Sequence, residues 1–287
     1  MTTTKQPEKT KGASSIRWGL WGAIALMVLF SLGPILWQLL TSLKVNTDIS
    51  HIPNIYFPKR LTLEHYISLF QGRPFFRYLL NSSFVAIVST LLSLGIGAPA
   101  AYVLARLKLP GTQLILSAIL VVTLFPYILL FLGLLEIIQA FGWGNTYMAL
   151  IVPYTAINLP LTILVLRSFF LQLPRDLEDA ARMDGYSTVQ RLTQILLPMT
   201  IPALVTTGIL TFIFAWNEFI FALTFLSRET MKTIPVAAAQ IGGSSVFEIP
   251  YGPIAAATIL GSLPLAILVF VFQRRIVQGL TAGAVKG

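Results

Sequence analysis

The sequence predicts an all-α integral membrane protein with six transmembrane helices and both termini in the cytoplasm. Hydrophobic residues make up 55% of the 287-residue chain and charged residues only 11%, with a mean hydropathy of +0.78. This composition lies outside the range of soluble domains. The apolar residues form runs long enough to cross a bilayer. In the topology that joins these runs, about 13 of the 20 Lys and Arg residues lie on the cytoplasmic side, as the positive-inside rule requires.

The six predicted spans alternate across the membrane through short or polar connections. A basic cytoplasmic tail, residues 1–17, precedes a first span that is longer than a signal-peptide core and is interpreted as an uncleaved anchor. Segments 44–76 and 228–252 are predicted outside, whereas loop 175–198 and a C-terminal tail, 274–287, are predicted inside. The spans that make up the membrane domain, 18–273, are 18–43, 78–105, 112–140, 147–170, 199–225 and 253–272.

Several classes of function are excluded by what the chain lacks. It has no cysteine, hence no disulfide and no thiolate nucleophile or metal ligand, and it has no P-loop sequence with which to bind ATP. Its basic residues are scattered between apolar runs, so no nucleic-acid partner is expected. His51 and His65 lie in an external loop without a recognisable third metal ligand, and we interpret them as solvated; the alternative is a metal site. No catalytic residue, metal or cofactor is predicted for this chain.

A glycine-containing stretch inside the second span has two interpretations. Residues Gly95 to Ala100 superficially match a dinucleotide-binding loop, but they lie within an apolar run and include Pro99. Close helix packing accounts for these glycines better.

The longest polar segment of the chain lies between spans four and five. Asp176 follows Pro174 and is expected to cap a short helix, about Leu177 to Asp184, which Gly185 ends. The carboxylates of the first turn favour the positive end of that helix. Ser187 and Gln190 form a capping box that begins a second helix, predicted to run to Pro198. The segment is therefore predicted to be two helices that meet at a glycine.

This segment resembles the EAA loop of ABC-importer permeases, a pattern of Glu-Ala-Ala, three residues, Gly, nine residues, Ile, one residue and Leu-Pro. In this sequence the pattern falls on Asp179, Ala180, Ala181, Gly185, Ile195, Leu197 and Pro198, with Asp in place of the usual Glu. The small Ala180-Ala181 face would let another protein approach closely, and the alternative is an ordinary amphipathic hairpin. The resemblance implies that an ATPase subunit docks here on Glu178, Asp179, Ala180, Ala181, Asp184, Gly185, Ile195 and Pro198. We name residues 175–198 the coupling loop.

The fifth predicted span is interrupted by Trp216, Asn217 and Glu218. A carboxylate at membrane depth is costly, which makes these residues candidates for the translocation pathway. The alternative is that Glu218 has a structural partner or lies near the outer interface. Glu136 is a lesser candidate. The stretch Ala215 to Phe219 also resembles one found in sugar-importer permeases.

The C-terminal residues carry a further resemblance. Gly279 to Gly287 is similar to the tail of the maltose-type second permease subunit, which implies that Val285, Lys286 and Gly287 contact the ATPase subunits. With the coupling loop and the six spans, the resemblance covers nearly the whole chain. It identifies the chain as a member of the maltose-type carbohydrate permeases of ABC importers.

The family resemblance also implies partners and a location. The expected partners are a second homologous permease, two ATPase subunits that bind ATP and Mg, an extracytoplasmic solute-binding protein and the lipid bilayer. The expected location is the bacterial inner membrane, which the chain crosses several times. Two alternatives stay open: an ABC permease for a polyol or glycerol phosphate, and a secondary transporter, which should show internal repeats and discontinuous helices.

Overall fold

The structure is a computed structural model that describes residues 12–58, 60–242 and 249–284, with side chains at 18–58, 60–242 and 249–273. The described chain is almost entirely helical, as predicted. It divides into two compact units, one comprising residues 12–58, 60–68, 242 and 249–259, and the other comprising 69–241 and 260–284. The predicted tail 1–17 lies mostly outside the described residues.

The described helices are numbered in chain order. Four helical segments are long and apolar enough to cross a membrane: Trp18–Ser42, Phe75–Arg106, Met148–Gln172 and Tyr251–Gln273. Two bent helix pairs raise the total to as many as six. The helices are α1 Gly12–Ser42, α2 Asn46–Ile49, α3 Glu64–Gly72, α4 Phe75–Arg106, α5 Thr112–Leu124, α6 Phe131–Ala140, α7 Met148–Gln172, α8 Asp176–Met183, α9 Thr188–Met199, α10 Ile201–Asn217, α11 Ile220–Phe225, α12 Ile234–Ala239 and α13 Tyr251–Ala284.

In the first unit, the loop after α1 is held by contacts within the chain. An isolated antiparallel bridge joins Lys44 to Leu61. His65 is buried, and its Nε2 donates to the Lys44 carbonyl oxygen at 2.8 Å. A Cβ on Gly252 would overlap the His65 ring, so this contact requires glycine. The interpretation of both histidines as solvated is therefore wrong for His65, whereas His51 is exposed.

In the second unit, α4 and α7 pack along each other through small residues. A Cβ on Gly97 would lie only 2.5 Å from Thr162 Cγ2, so the helices are closer than a side chain at position 97 allows. Hydroxyls also cross the contact, since Ser93 Oγ donates to the Thr155 carbonyl oxygen at 3.4 Å. Helix packing thus explains Gly97, as the sequence predicted, because small residues allow this approach.

Two of the predicted spans are broken rather than straight. Span 112–140 consists of α5 and the helical stretch Tyr127–Ala140, which meet at 92° across Phe125 and Pro126. Helix α9 meets α10 at 80°. With 17 residues, α10 is about 26 Å long, less than the ~30 Å hydrocarbon core. Helix α11 follows it after Glu218 and Phe219. The last helix continues past the arginines at 274 and 275 to Ala284.

Candidate functional site: the coupling loop and the broken spans

The first helix of the coupling loop begins and ends through local interactions. Helix α8 starts at Asp176, and Arg175 holds the preceding cap position without a side-chain cap bond. The prediction that Asp176 is the cap is therefore wrong, although its carboxylate still lies in the first turn. Gly185 has φ +83°, and the backbone NH groups of Gly185 and Tyr186 donate to the carbonyl oxygens of Arg182 and Ala181 at 3.1 and 2.9 Å. This is a glycine-dependent helix end, as predicted.

The second helix of the loop is anchored to the spans. The predicted capping box is present, with Ser187 NH donating to Gln190 Oε1 at 2.8 Å and Gln190 NH donating to Ser187 Oγ at 3.3 Å. The middle of α9, Arg191–Leu196, forms a wider π-helical turn, and the helix continues to Met199, one residue past the predicted end. A buried cluster joins this helix to α4, α7 and α10 through Ala98, Ala101, Tyr102, Ala105, Leu166, Phe170, Leu192, Leu196 and Ala203.

A buried ion pair fastens α8 to the end of α4. Glu178 Oε1 lies 2.9 Å from Arg106 Nε, and the two side chains are 6% and 4% exposed. Tyr102 OH donates to Glu178 Oε2 at 3.2 Å, and Arg106 Nη2 donates to the Leu173 carbonyl oxygen at 2.6 Å. Both charges therefore have partners, which a buried pair requires. Glu178 faces this chain's own interior rather than outward.

Burial divides the predicted coupling residues into two groups. Glu178 and Ala181 are buried, and Ile195 is half-buried. A bulkier residue at 181 would meet this chain first, so the small Ala180-Ala181 face predicted for a partner is reduced to Ala180. The predicted coupling residues on the open surface of the loop are Asp179, Ala180, Asp184, Gly185 and Pro198.

Apolar side chains on the open surface of the coupling loop were missed by the sequence analysis. Met183 is 89% exposed and Val189 69% exposed, and Tyr186 lies between them in the sequence. Exposed apolar side chains on this loop are available to pack against another protein.

The three residues predicted for the pathway have different surroundings. Both oxygens of Glu218 are occupied: Oε1 accepts from Phe221 NH at 2.9 Å, and Oε2 accepts from Ala222 NH at 3.2 Å and Tyr154 OH at 2.5 Å. Glu218 thus caps the start of α11, which is the structural alternative. Trp216 is also buried, and its Nε1 donates to the Gly261 carbonyl oxygen at 3.0 Å. Only Asn217 is exposed.

A cavity at the bend of the third span was not predicted. It has a volume of about 420 Å³, and its lining includes Thr123, Phe125, Tyr127, Asn158 and Phe214. Asn158 is 5% exposed, and its amide nitrogen donates to the Tyr154 carbonyl oxygen at 2.7 Å. Pro126, within an apolar run, was the available sequence signal. Glu136, the lesser candidate, is exposed on α6 and does not line this cavity.

The segment after α11 carries one perturbed carboxyl group. Glu229 accepts hydrogen bonds from Lys232 Nζ and Tyr78 OH. These donors, the Lys232 ammonium first, hold the pKa of Glu229 below its usual range. Asn81 also holds the segment, because its Nδ2 donates to the carbonyl oxygens of Thr230 and Lys232 at 3.0 and 2.8 Å.

Two further expectations from the sequence concern metal binding and the C-terminal tail. Across residues 12–58, 60–242 and 249–284, no group of three or more His, Asp or Glu side chains is arranged to hold a metal. Val285, Lys286 and Gly287 lie outside the described residues.

Comparison of the sequence with known proteins finds one matching family. Residues 72–282 match the model for the binding-protein-dependent transport system inner membrane component. The chain is 42% identical over 265 residues to the sulfoquinovosyl glycerol transport system permease protein SmoH of Agrobacterium fabrum, covering 92% of both chains. It is 42% identical over 262 residues to the trehalose transport system permease protein SugB of Mycobacterium tuberculosis, covering 91% of this chain and 95% of that one.

A solved structure shares the fold. A chain of a bacterial ABC transporter involved in the import of the acidic polysaccharide alginate superposes with a TM-score of 0.78 and 21% identity. The match covers 94% of this chain and 99% of that chain.

Proposed function

Because this chain belongs to the family of binding-protein-dependent transport system inner membrane components, we propose that it is the permease subunit of a carbohydrate ABC importer. The family makes it a multi-pass transport subunit and not an enzyme. Two relatives at 42% identity are named for the transport of trehalose and of sulfoquinovosyl glycerol. A saccharide or glycoside is therefore the favoured substrate class over a simple polyol or glycerol phosphate.

The attachment of the coupling loop to the spans is the observation that carries this proposal. Leu192 and Leu196 lie in one buried cluster with residues of α4 and α7, and Glu178 is paired with Arg106 at the end of α4. A displacement of the loop would move those helix ends with it, because close-packed interiors shift as blocks. The loop thus acts as a lever between an ATPase subunit and the membrane helices.

The open surface of the loop provides the docking face for that ATPase. Asp179, Ala180, Asp184, Met183 and Val189 are exposed there. The remaining coupling residues have supporting roles: Glu178 and Ala181 hold α8 against the chain, Gly185 makes the turn, and Ile195 and Pro198 lie on the arm that leads to α10. ATP and Mg belong to the ATPase subunits, and this chain needs no cofactor.

The proposed topology has six spans with both termini in the cytoplasm. The bent pair Thr112–Leu124 and Tyr127–Ala140 contributes one span. Span 199–225 includes α10 and α11, and α9 belongs to the coupling loop. The complex would contain a second homologous permease, two ATPase subunits contacted also by Val285, Lys286 and Gly287, and an extracytoplasmic solute-binding protein facing segments 44–76 and 228–252. Its location is the bacterial inner membrane. Asn217 and the cavity at the bend of the third span are the proposed contributions to the pathway, with Glu218 and Trp216 holding the break in shape.

Purification of the tagged chain from its native membranes tests the proposal. An ATPase subunit and a second permease should copurify. The complex is reconstituted in vesicles with its binding protein. It should transport radiolabelled trehalose or another saccharide only when ATP is present on the side of the membrane that carries the ATPase subunits. Glycerol, sorbitol and glycerol 3-phosphate serve as competitors for the alternative substrates. ATP hydrolysis by the isolated chain, or uptake driven by an ion gradient without ATP, would contradict the proposal.

A further inference from the structure

The C-terminal end of α1 and the loop after it enclose a small cavity that the coupling loop and the broken spans do not use. Its volume is about 340 Å³, and its lining includes Trp37, Lys44, Asp48, Asn54 and Tyr251. All of these residues belong to the first unit. Small-molecule sites typically have volumes of roughly 300 to 1,000 Å³, so the cavity can hold one small ring.

The polar atoms of this cavity are only partly engaged within the chain. The buried Lys44 ammonium lies 4.3 Å from the centre of the Trp37 ring and donates to the Ile55 carbonyl oxygen at 2.6 Å. An ammonium has three N–H donors, so donors are left over. Asp48 Oδ2 is buried and accepts no hydrogen bond from any described residue. A buried carboxylate oxygen without a donor is costly, and a bound ligand would supply one.

The walls of the cavity are held in place by the rest of the first unit. The backbone of Lys44 is fixed by the bridge to Leu61 and by the hydrogen bond from His65. Gly252 makes room for the His65 ring and immediately follows Tyr251. A site whose side chains are supported in this way is preorganised for a ligand.

The chemistry of the lining selects a neutral ligand with many hydroxyl groups. Asp48 would repel an anion and Lys44 would repel a cation, whereas a hydroxyl can donate to the first and accept from the second. The residues Trp37 and Tyr251 are 43% and 56% exposed, and aromatic faces bury apolar C–H surface. We propose that this cavity binds one pyranose ring of a saccharide. The choice of a saccharide rests on the proposed function. The inference that the ligand is neutral and hydroxylated rests only on the lining of the cavity.

A zwitterionic lipid headgroup is another neutral ligand that carries groups for both Lys44 and Asp48. It would place its phosphate on Lys44, but the Asp48 carboxylate lines the same cavity and would repel that phosphate. The geometry therefore favours the saccharide, and lipid binding becomes one outcome of the test.

Equilibrium binding to the full transporter complex tests the proposal. The complex is placed in phosphatidylcholine nanodiscs without binding protein or ATP, and radiolabelled trehalose and maltose are titrated. Saturable binding is expected, with Trp37→Ala, Asp48→Ala and Tyr251→Ala each raising Kd by roughly tenfold or more. Trp21→Ala, on the same helix but outside the cavity, should leave Kd unchanged. Glucuronate and glucosamine should compete less well than glucose.

Three results would overturn the proposal: no saturable binding, equal binding by the cavity variants and the wild type, or a zwitterionic phospholipid that copurifies with the wild type and not with the cavity variants. If Trp37→Ala does not fold, Tyr251→Ala still tests the cavity. Thermal melting checks that each variant is folded. ATP-driven uptake with the binding protein is measured on the same preparations. Intact uptake without binding at the cavity rejects only this inference, whereas absence of uptake for every saccharide tested rejects the proposed function.

Discussion

Breaking the buried ion pair between Glu178 and Arg106 should release α8 from the end of α4. The pair is 2.9 Å long with side chains 6% and 4% exposed, so solvent screens it little. Removal of one partner from a buried pair typically costs about 3–5 kcal/mol, because the other charge is left uncompensated. Arg106→Met leaves the Glu178 carboxylate with only the Tyr102 hydroxyl and should fall in this range.

Glu178→Gln should lower the free energy of unfolding by less than Arg106→Met does. In Glu178→Gln, Arg106 keeps its hydrogen bond to the Leu173 carbonyl oxygen, and we expect about 3 kcal/mol, the lower end of the same range. The double variant should be more stable than the sum of the two losses predicts, because contacting groups couple by about 0.5–3 kcal/mol. Thermal melting of the purified chain in detergent measures the losses, and the same variants in the complex should lose more uptake than ATP hydrolysis.

The neighbouring residue supplies the control. Asp179 is 67% exposed, and its oxygen lies 3.8 Å from Arg182, so Asp179→Asn should cost less than about 1 kcal/mol. If Asp179→Asn and Glu178→Gln destabilise equally, or if the two single losses add without coupling, the ion pair does not hold α8.

Three further predictions concern the other features of the second unit. Gly185→Val should cost about 1–2 kcal/mol, more than Gly185→Asn, because φ is +83° while a Cβ would meet no atom within 4 Å; melting temperatures compare the two, and equal values would contradict it. Glu218→Gln should lower stability but keep the substrate KM for uptake, whereas Asn217→Ala should change KM; the reverse pattern would place Glu218 in the pathway. Since the pKa of Glu229 is lowered, its contribution to stability is present above its unfolded-state value and is lost as pH falls below about 4.5; Glu229→Gln should melt without this acid dependence, and an unchanged pH profile would contradict it.

Local signals in the coupling loop predicted its backbone well. The stop at Gly185 and the capping box of Ser187 and Gln190 each depend on residues a few positions apart, and both are present. The direction of the side chains was not predictable in the same way. Glu178 and Asp179 are adjacent carboxylates on one short helix, and only Arg106, 72 positions earlier than Glu178 in the sequence, decides which of them is buried.

The bend in the third span shows a different limit of sequence reasoning. Pro126 lies at the 92° break, and a proline removes one helical hydrogen bond. Yet other prolines lie inside helices that continue through them, so a proline alone does not predict a break. These are Pro34, Pro99, Pro153, Pro160 and Pro264. Packing against neighbouring helices decides between a tolerated proline and a bend, and that packing is set by residues far away in the sequence.

Because Arg191–Leu196 forms a π-helical turn, the number of residues in this part of the coupling loop determines the direction of its side chains. Such a turn contains one residue more than an α-helical turn, and each residue rotates a helix by about 100°. A relative with one residue fewer between the glycine and the Leu-Pro pair could restore a regular helix there, but Leu192 and Leu196 would then point in different directions relative to each other. An alignment gap at this place would therefore mark a change in the angle at which the two ends of the lever are joined.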